Sequence, residues 1–295
     1  MHPATLLTGI NERHGTTFAL AERFGDGESA SGAYAVVDAA GRRGVLKWDL
    51  DPDPAGVVER LRQVNAATSR LRERGYPVPL YLVLGHTATA CYSIQELLPG
   101  RPLRAVTPDV IPRLLELNTM QRGLSMPGHG DWPRRVVDTV LFGGEGYCLL
   151  EPLQTYSNET SELLDNVQAI VRHNCDREFE TGDLVHFDFN PTNILVDQGR
   201  ISGVIDWQEP CSGDCAFDLA TLMFYAWRVQ AVRDLLWRHL LERIEPGALG
   251  VYLAHLILRQ VDWSIRHHGD RETRHFLNVA REILSACRVA GVNWA

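Results

Sequence analysis

His186-Phe187-Asp188-Phe189-Asn190-Pro191-Thr192-Asn193 is followed by Ile194-Leu195-Val196, by Asp197-Gln198-Gly199-Arg200, and by Ile201-Ser202-Gly203-Val204-Ile205-Asp206-Trp207. Polar residues bracket short apolar runs here, the layout of a site displayed between strands. The order is H-x-D-x(4)-N, strand, turn, strand, D. An isolated Asp and Asn in a loop are ordinary turn chemistry, because both side chains bond local backbone. Asp206 by itself reads equally as a strand-end cap. The combined order and spacing are far more specific than any one of these residues.

Phosphoryl transfer asks for this set. It needs an acceptor hydroxyl held in line and metal ions that neutralise phosphate charge, with little covalent work by the protein. Asp188 can accept a hydrogen bond from the acceptor hydroxyl. Asn193, five residues on, offers a neutral oxygen to Mg²⁺, and Asp206 a carboxylate to the same metal cluster. These are the hard oxygen ligands that Mg²⁺ prefers. His186 reads as a structural residue bonding backbone near the loop. Asp218, in Phe217-Asp218-Leu219-Ala220, reads as a helix-start or loop-fixing carboxylate.

Upstream, the pattern is that of a small sheet with one helix. Phe18–Phe24, Ala33–Val37 and Gly44–Trp48 are strand-like, with small and turn-forming residues from Gly25 to Gly32 between the first two. Pro54 opens a helix to about Arg74 with the stripe Val57, Leu61, Val64, Thr68 and Leu71. Strand-like runs follow at 80–84 and 90–97. Pro99-Gly100-Arg101-Pro102 then breaks the pattern and marks a boundary between residues 1–98 and 99–295. Beyond it the periodicity is mainly helical, at 108–121, 160–174, 217–241, 248–267 and 271–289.

Composition narrows the function classes. The chain has 295 residues, 45% of them hydrophobic and 22% charged, enough for a large core and unlike a disordered chain. Its net charge is −8, a poor footprint for nucleic acid and a better one for a cationic small molecule. Residues 1–98 carry 10 basic and 11 acidic side chains and residues 99–295 carry 19 and 26, so the acidity lies in the helical part. The first residues lack a basic region before an apolar run, and the uncharged stretch 76–95 is broken by Pro77, Pro79 and Gly85. The expectation is a cytoplasmic protein with no membrane span. Six scattered cysteines, with Cys211 and Cys215 off the usual zinc spacing, fit free thiols in a reducing compartment. The chain contains 28 arginines and one lysine, Lys47, in the third strand. The two residue types differ chiefly where a compact point charge is needed in a tight site.

On the segments His186–Asn193, Ile205-Asp206-Trp207, Phe217-Asp218-Leu219-Ala220 and Leu98–Leu103, the chain resembles the aminoglycoside phosphotransferase and choline kinase group. The resemblance implies an α+β, bilobal protein-kinase-like fold. Its small antiparallel N-terminal lobe, with one helix, binds nucleotide (1–98), and a mainly helical C-terminal lobe holds catalytic and substrate groups (99–295). It assigns Asp188 as catalytic base, Asn193 and Asp206 to Mg²⁺, and Lys47 to the α- and β-phosphates of a nucleotide lying between the lobes. Ser29 and Ser31 would cover the phosphates. Glu59 would orient Lys47, although it falls opposite the apolar stripe and reads equally as a solvated residue. The Glu96 carbonyl and the Leu98 N–H would hold the adenine. The family commonly has Gly before the Asp; here Phe187 stands there and is expected at a strand end.

The expected cofactors are Mg²⁺ and ATP, with GTP as the alternative. The expected substrate is a cationic antibiotic, an aminoglycoside or basic cyclic peptide, phosphorylated on a hydroxyl to give resistance. The candidate acids for binding it are Glu151, Asp183, Glu209, Asp214 and Asp262. The alternatives are a metabolic kinase for choline, a sugar or homoserine, and a non-catalytic kinase-like binding module. A monomer or weak dimer is expected, with no nucleic-acid partner.

Overall fold

The computed structural model describes residues 2–24, 33–126 and 131–292. In chain order they form α1 (Pro3–His14), β1 (Ala19–Phe24), β2 (Ala33–Val37), β3 (Arg43–Leu50), α2 (Pro54–Glu73), β4 (Tyr81–His86), β5 (Ala90–Glu96), β6 (Arg101–Pro102), α3 (Ile111–Met120) and α4 (Trp132–Phe142). Then come α5 (Leu150–Tyr156), α6 (Asn158–Asn174), β7 (Asp183–Val185), a 3₁₀ turn (Pro191–Asn193), β8 (Ile194–Asp197), β9 (Arg200–Val204), β10 (Cys211–Gly213), α7 (Ala216–Tyr225), α8 (Gln230–Arg243), α9 (Pro246–His267) and α10 (Asp270–Val289). They make two compact units, Met1–Pro102 with Ile194–Gln208, and Leu103–Asn193 with Glu209–Ala295.

The first unit is built on an antiparallel sheet of order β1-β2-β3-β5-β4. Strand alternation sorts β3: Gly44, Leu46 and Trp48 are buried, and Lys47 projects from the opposite face, paired across to Ser93. Leu46, Trp48, Val36, Val83 and Ile94 share one core cluster with Leu6, Leu7 and Ile10 of α1. Each such side chain contributes roughly 1.5–3 kcal/mol by leaving water. Helix α1 is an addition to the one helix expected here. Its Pro start, its Leu6-Leu7-Ile10 stripe and its Gly15 cap (φ 63°) are ordinary helix signals.

In α2 the Asp53 side chain caps the Gly56 N–H, and the buried side is Val58, Val64, Ala67, Thr68 and Leu71. Val57 and Leu61, expected on that stripe, are only half-buried, because the helix is rotated slightly to seat Val58. The ribbon β6-β8-β9 belongs to this unit. It is fastened by Val204 N–H to Pro77 O (2.7 Å), by Ser202 Oγ to Pro99 O (2.6 Å), and by Trp207 packed edge-on against Tyr76.

The second unit packs helices around α9, which is buried on nearly every face from Gly247 to Ser264. A helix that is apolar all round is a central one. Helices α4, α5, α6, α7 and α10 each contact it. Helices α4 and α5 were not expected from the sequence. The expected helix 217–241 is two helices, α7 and α8. The break falls where Trp227 Nε1 and Arg228 both bond Glu282 of α10 and Val229 turns extended. No Gly or Pro marks it, so periodicity alone runs through it.

Gly213 in β10 lies against the buried Trp132 indole, which a Cβ would overlap. Gly213→Ala is expected to destabilise the protein by about 1–3 kcal/mol, the usual cost of overpacking, and to lower the thermal midpoint by several degrees. An unchanged midpoint in differential scanning calorimetry would contradict this packing.

Candidate active site

The catalytic-loop candidates lie in the second unit. Strand β7 ends at Val185, and the chain must then turn. Phe187 turns it with a left-handed backbone (φ 72°), which corrects its expected place at a strand end. That conformation costs an L-residue roughly 1–2 kcal/mol. Burial of the ring offsets it. Phe187 stacks on Phe217 (5.2 Å, 7°), meets Trp132 and His255 edge-on, and has the Arg135 guanidinium 4.0 Å from its centroid.

Asp218 fixes the loop backbone. Its carboxylate accepts the His186 N–H (2.8 Å) and the Phe187 N–H (2.9 Å), and Gln121 Nε2 donates to it at 2.6 Å. Burial pushes the Asp218 carboxyl up from the usual range, and the His186 imidazole and the three donors oppose that. His186 is buried, and its Nδ1 accepts the Asp188 N–H at 3.3 Å.

Asp188 and Asn193 are brought together. Asn193 Nδ2 donates to the Asp188 carbonyl (2.9 Å) and to Asp188 Oδ2 (3.0 Å). Asn190 Nδ2 donates to the same Oδ2 (3.0 Å), and its own Oδ1 accepts from Thr192 to close the 3₁₀ turn. Asp188 is half-exposed, at 50% of its side-chain surface, with the Arg259 guanidinium 3.5 Å from Oδ1.

Lys47 and Asp206 meet in the first unit. Lys47 Nζ lies 2.9 Å from Asp206 Oδ1, with side chains 27% and 38% exposed. Asp206, just past β9, is also left-handed (φ 69°). Burial and the nearby Asp206 charge raise the Tyr81 hydroxyl, which stays protonated. Glu59 does not reach Lys47: it sits exposed on α2 and pairs with Arg62 at 3.0 Å. The Glu96 side chain pairs with Arg72 (2.7 Å), and the Leu98 side chain lies over Gly203. Ser29 and Ser31 fall outside the described residues.

In the second unit Asp188 and Asn193 offer oxygens, the donors a hard divalent cation takes, and the Asn193 amide nitrogen is occupied, which leaves its carbonyl oxygen as the acceptor. In the first unit Asp206 likewise offers a carboxylate. Among the described residues, Asp183, Asp214 and Cys215 form a separate buried cluster. Its groups are spent internally. Asp183 takes the Gly123 N–H and the Cys215 thiol, Asp214 takes the Ala216 N–H and the Tyr252 hydroxyl, and Arg243 bonds Cys215.

Three of the five acids expected to bind substrate are therefore structural. Asp183 and Asp214 belong to that cluster. Asp262 is wholly buried, clasped by Arg266 at 2.7 Å through each oxygen and capping the Leu149 N–H. Glu151 and Glu209 stay exposed. Neither helical period nor spacing separates a buried acid from a solvated one.

A family model described as "Phosphotransferase enzyme family" matches residues 21–250, and the chain belongs to that family. Membership makes it a phosphotransferase. The hygromycin-B 4-O-kinase of Escherichia coli is 47% identical over 46 residues, 16% of this chain; the match spans only 14% of that relative's length. A thermostable mutant of aminoglycoside phosphotransferase APH(4)-Ia, solved with AMP-PNP and hygromycin B, shares the fold at a TM-score of 0.73 and 19% identity, over 97% of this chain and 99% of that one. An amicoumacin kinase in complex with AMP-PNP, Ca²⁺ and its antibiotic gives 0.62 and 12%, over 97% and 94%.

Two outcomes follow from the loop. Asp218→Asn places an amide N–H₂ against backbone donors and should cost about 1–3 kcal/mol, read as a lower urea midpoint. His255, under the Phe187 ring, is pushed by burial, Arg259 and Arg135 down to about 3. The unfolded chain takes up this proton near pH 6.5 and the folded one only near 3, so the protein loses stability as pH falls through that window. Between pH 7 and pH 5 the parent should lose about 2 kcal/mol more than His255→Phe in urea titrations. Equal losses would show that His255 is not the buried neutral group.

Proposed function

We propose that this protein transfers the terminal phosphoryl group of ATP to a hydroxyl of a cationic antibiotic, an aminoglycoside before a basic cyclic peptide, and thereby confers resistance. The observation that carries the reading is the Asp188 clasp. Two amide donors hold Oδ2, and among the described residues Oδ1 is left without a hydrogen bond on a half-exposed carboxylate. That oxygen accepts the hydrogen bond of the substrate hydroxyl, orients it in line, and takes its proton late in the transfer.

Lys47 places its compact charge on the α- and β-phosphates. Asn193 and Asp206 would each offer an oxygen to Mg²⁺, which when bound would neutralise phosphate charge. Asp206 bonds the Lys47 ammonium at 2.9 Å. The −8 net charge and the exposed Glu151 and Glu209 favour a cationic acceptor and disfavour nucleic acid. The likeness to kinases solved with hygromycin B and with amicoumacin supports an antibiotic acceptor and an ATP-type nucleotide. The free cysteines suit a reducing cytoplasm, and among the described residues no helix is long and apolar enough to cross a membrane. We take the protein to act as a monomer or weak dimer.

The test is ADP release with Mg-ATP over aminoglycosides, basic cyclic peptides, macrolides, choline and simple sugars, with Asp188→Asn as blank. Turnover of an aminoglycoside is expected. Turnover of choline or a sugar alone would move the protein to metabolism, and silence throughout would leave a binding module. Asp188→Ala should lower kcat by about 10²–10⁴-fold while ATP binding is kept, and Lys47→Ala should chiefly raise the KM for ATP. Near-normal turnover in Asp188→Ala would refute the base assignment.

A further inference from the structure

Arg259 stands on α9 one turn beyond His255, so both side chains face the Phe187–Asp188 segment. Its guanidinium engages that segment at three points. Nη1 donates to the Phe187 carbonyl at 2.8 Å, Nη2 lies 3.5 Å from Asp188 Oδ1, and Cζ lies 5.3 Å from the Phe187 ring centroid. The side chain is only 15% exposed, and Nη2 is buried with no hydrogen-bond partner among the described residues. A buried guanidinium donor left unmade costs free energy, so its placement calls for a reason.

The two Asp188 oxygens differ in what faces them. Oδ2 is held by Asn190 and Asn193 at 3.0 Å each. Among the described residues Oδ1 has no hydrogen bond, and Arg259 Nη2 lies 3.5 Å from it, a separation too long for a hydrogen bond but close enough for ion-pair attraction. Rotation of the carboxylate out of its plane would take one oxygen from its two amide donors and the other from the guanidinium, and Arg259 resists it electrostatically. The bond to the Phe187 carbonyl pins the peptide that carries Asp188. A planar, permanently charged fork suits both tasks, and a lysine point charge covers only one.

We propose that Arg259 is a positioning residue for this phosphoryl transfer: from α9 it fixes the Phe187–Asp188 peptide and keeps Asp188 Oδ1 turned to the acceptor hydroxyl. This rests on Asp188 as the base. Misplacement of a reacting group by about 1 Å costs on the order of 10²-fold in rate, so the effect belongs in kcat. A strut that served packing alone would lower the melting temperature and leave the kinetics of the folded enzyme unchanged.

The experiment compares Arg259→Gln and Arg259→Lys with the parent in Mg-ATP turnover. Hygromycin B is the acceptor, and water serves as acceptor if hygromycin B is not phosphorylated. Affinity for AMP-PNP and thermal midpoints are measured alongside. Arg259→Gln should lower kcat about 10–100-fold, with KM for both substrates and AMP-PNP affinity within about 3-fold. Arg259→Lys should recover part of the loss, because it keeps the charge near Oδ1 and loses the fork. Parent-like kcat in folded Arg259→Gln would overturn the proposal, as would a loss carried wholly by KM. If Arg259→Gln does not fold, Arg259→Lys decides: a kcat reduced at unchanged KM supports the role, and a parent kcat overturns it. Asp188→Asn, run in parallel, separates the two readings. Activity in that variant refutes the base itself, whereas its silence beside an unaffected Arg259→Gln refutes only the positioning role.

Discussion

The Asp218 carboxylate, accepting the consecutive backbone N–H groups of His186 and Phe187, is the constraint on which the loop from His186 to Asn193 depends. Two adjacent amides can point at one carboxylate only if the chain turns sharply, and the left-handed Phe187 provides that turn. The turn sets the direction in which Asp188 leaves the strand. Gln121 ties the same carboxylate to the end of α3 and to the Leu184 carbonyl, so strand, loop and two helices share one buried polar centre. Such a network is stabilising because each donor there has an acceptor, and it is fragile for the same reason.

The turn is strained, and the structure surrounds it with compensation. A glycine would turn there freely but would add no packing. Phe187 adds a ring held between Phe217 and Arg135, with His255, Trp132 and Arg259 about its edge. The backbone cost is of the same order as the roughly 1.5–3 kcal/mol from burying the ring. The departure from a loop glycine thus changes what holds the loop and preserves what the loop presents.

Charge is divided on a similar logic. Asp183, Asp214, Asp218 and Asp262 are buried, and each is matched with donors from elsewhere in its own unit. These four acids tether helices and loops and do not line a surface, while the other acids of residues 99–295 keep part of their surface exposed. In the first unit Lys47 and Asp206 neutralise one another at 2.9 Å. Both are partly exposed, so the pair is a modest contributor to stability and remains open to exchange partners.

The sequence by itself determined the elements whose signals are local. The Asp188 and Asn193 spacing, the lone Lys47 on an alternating strand and the Pro54 helix start are all short-range patterns, and short-range patterns follow from backbone geometry. The tertiary structure alone decided which acids are spent in the core, that Glu59 turns to Arg62 and not to Lys47, that α7 and α8 part where Glu282 captures Trp227 and Arg228, and that Arg259 reaches Asp188 from 71 positions away. The physical reason is common to all four. A polar side chain's role is fixed by the partner that desolvation forces on it, and that partner comes from a distant part of the chain, where no local period or spacing records it.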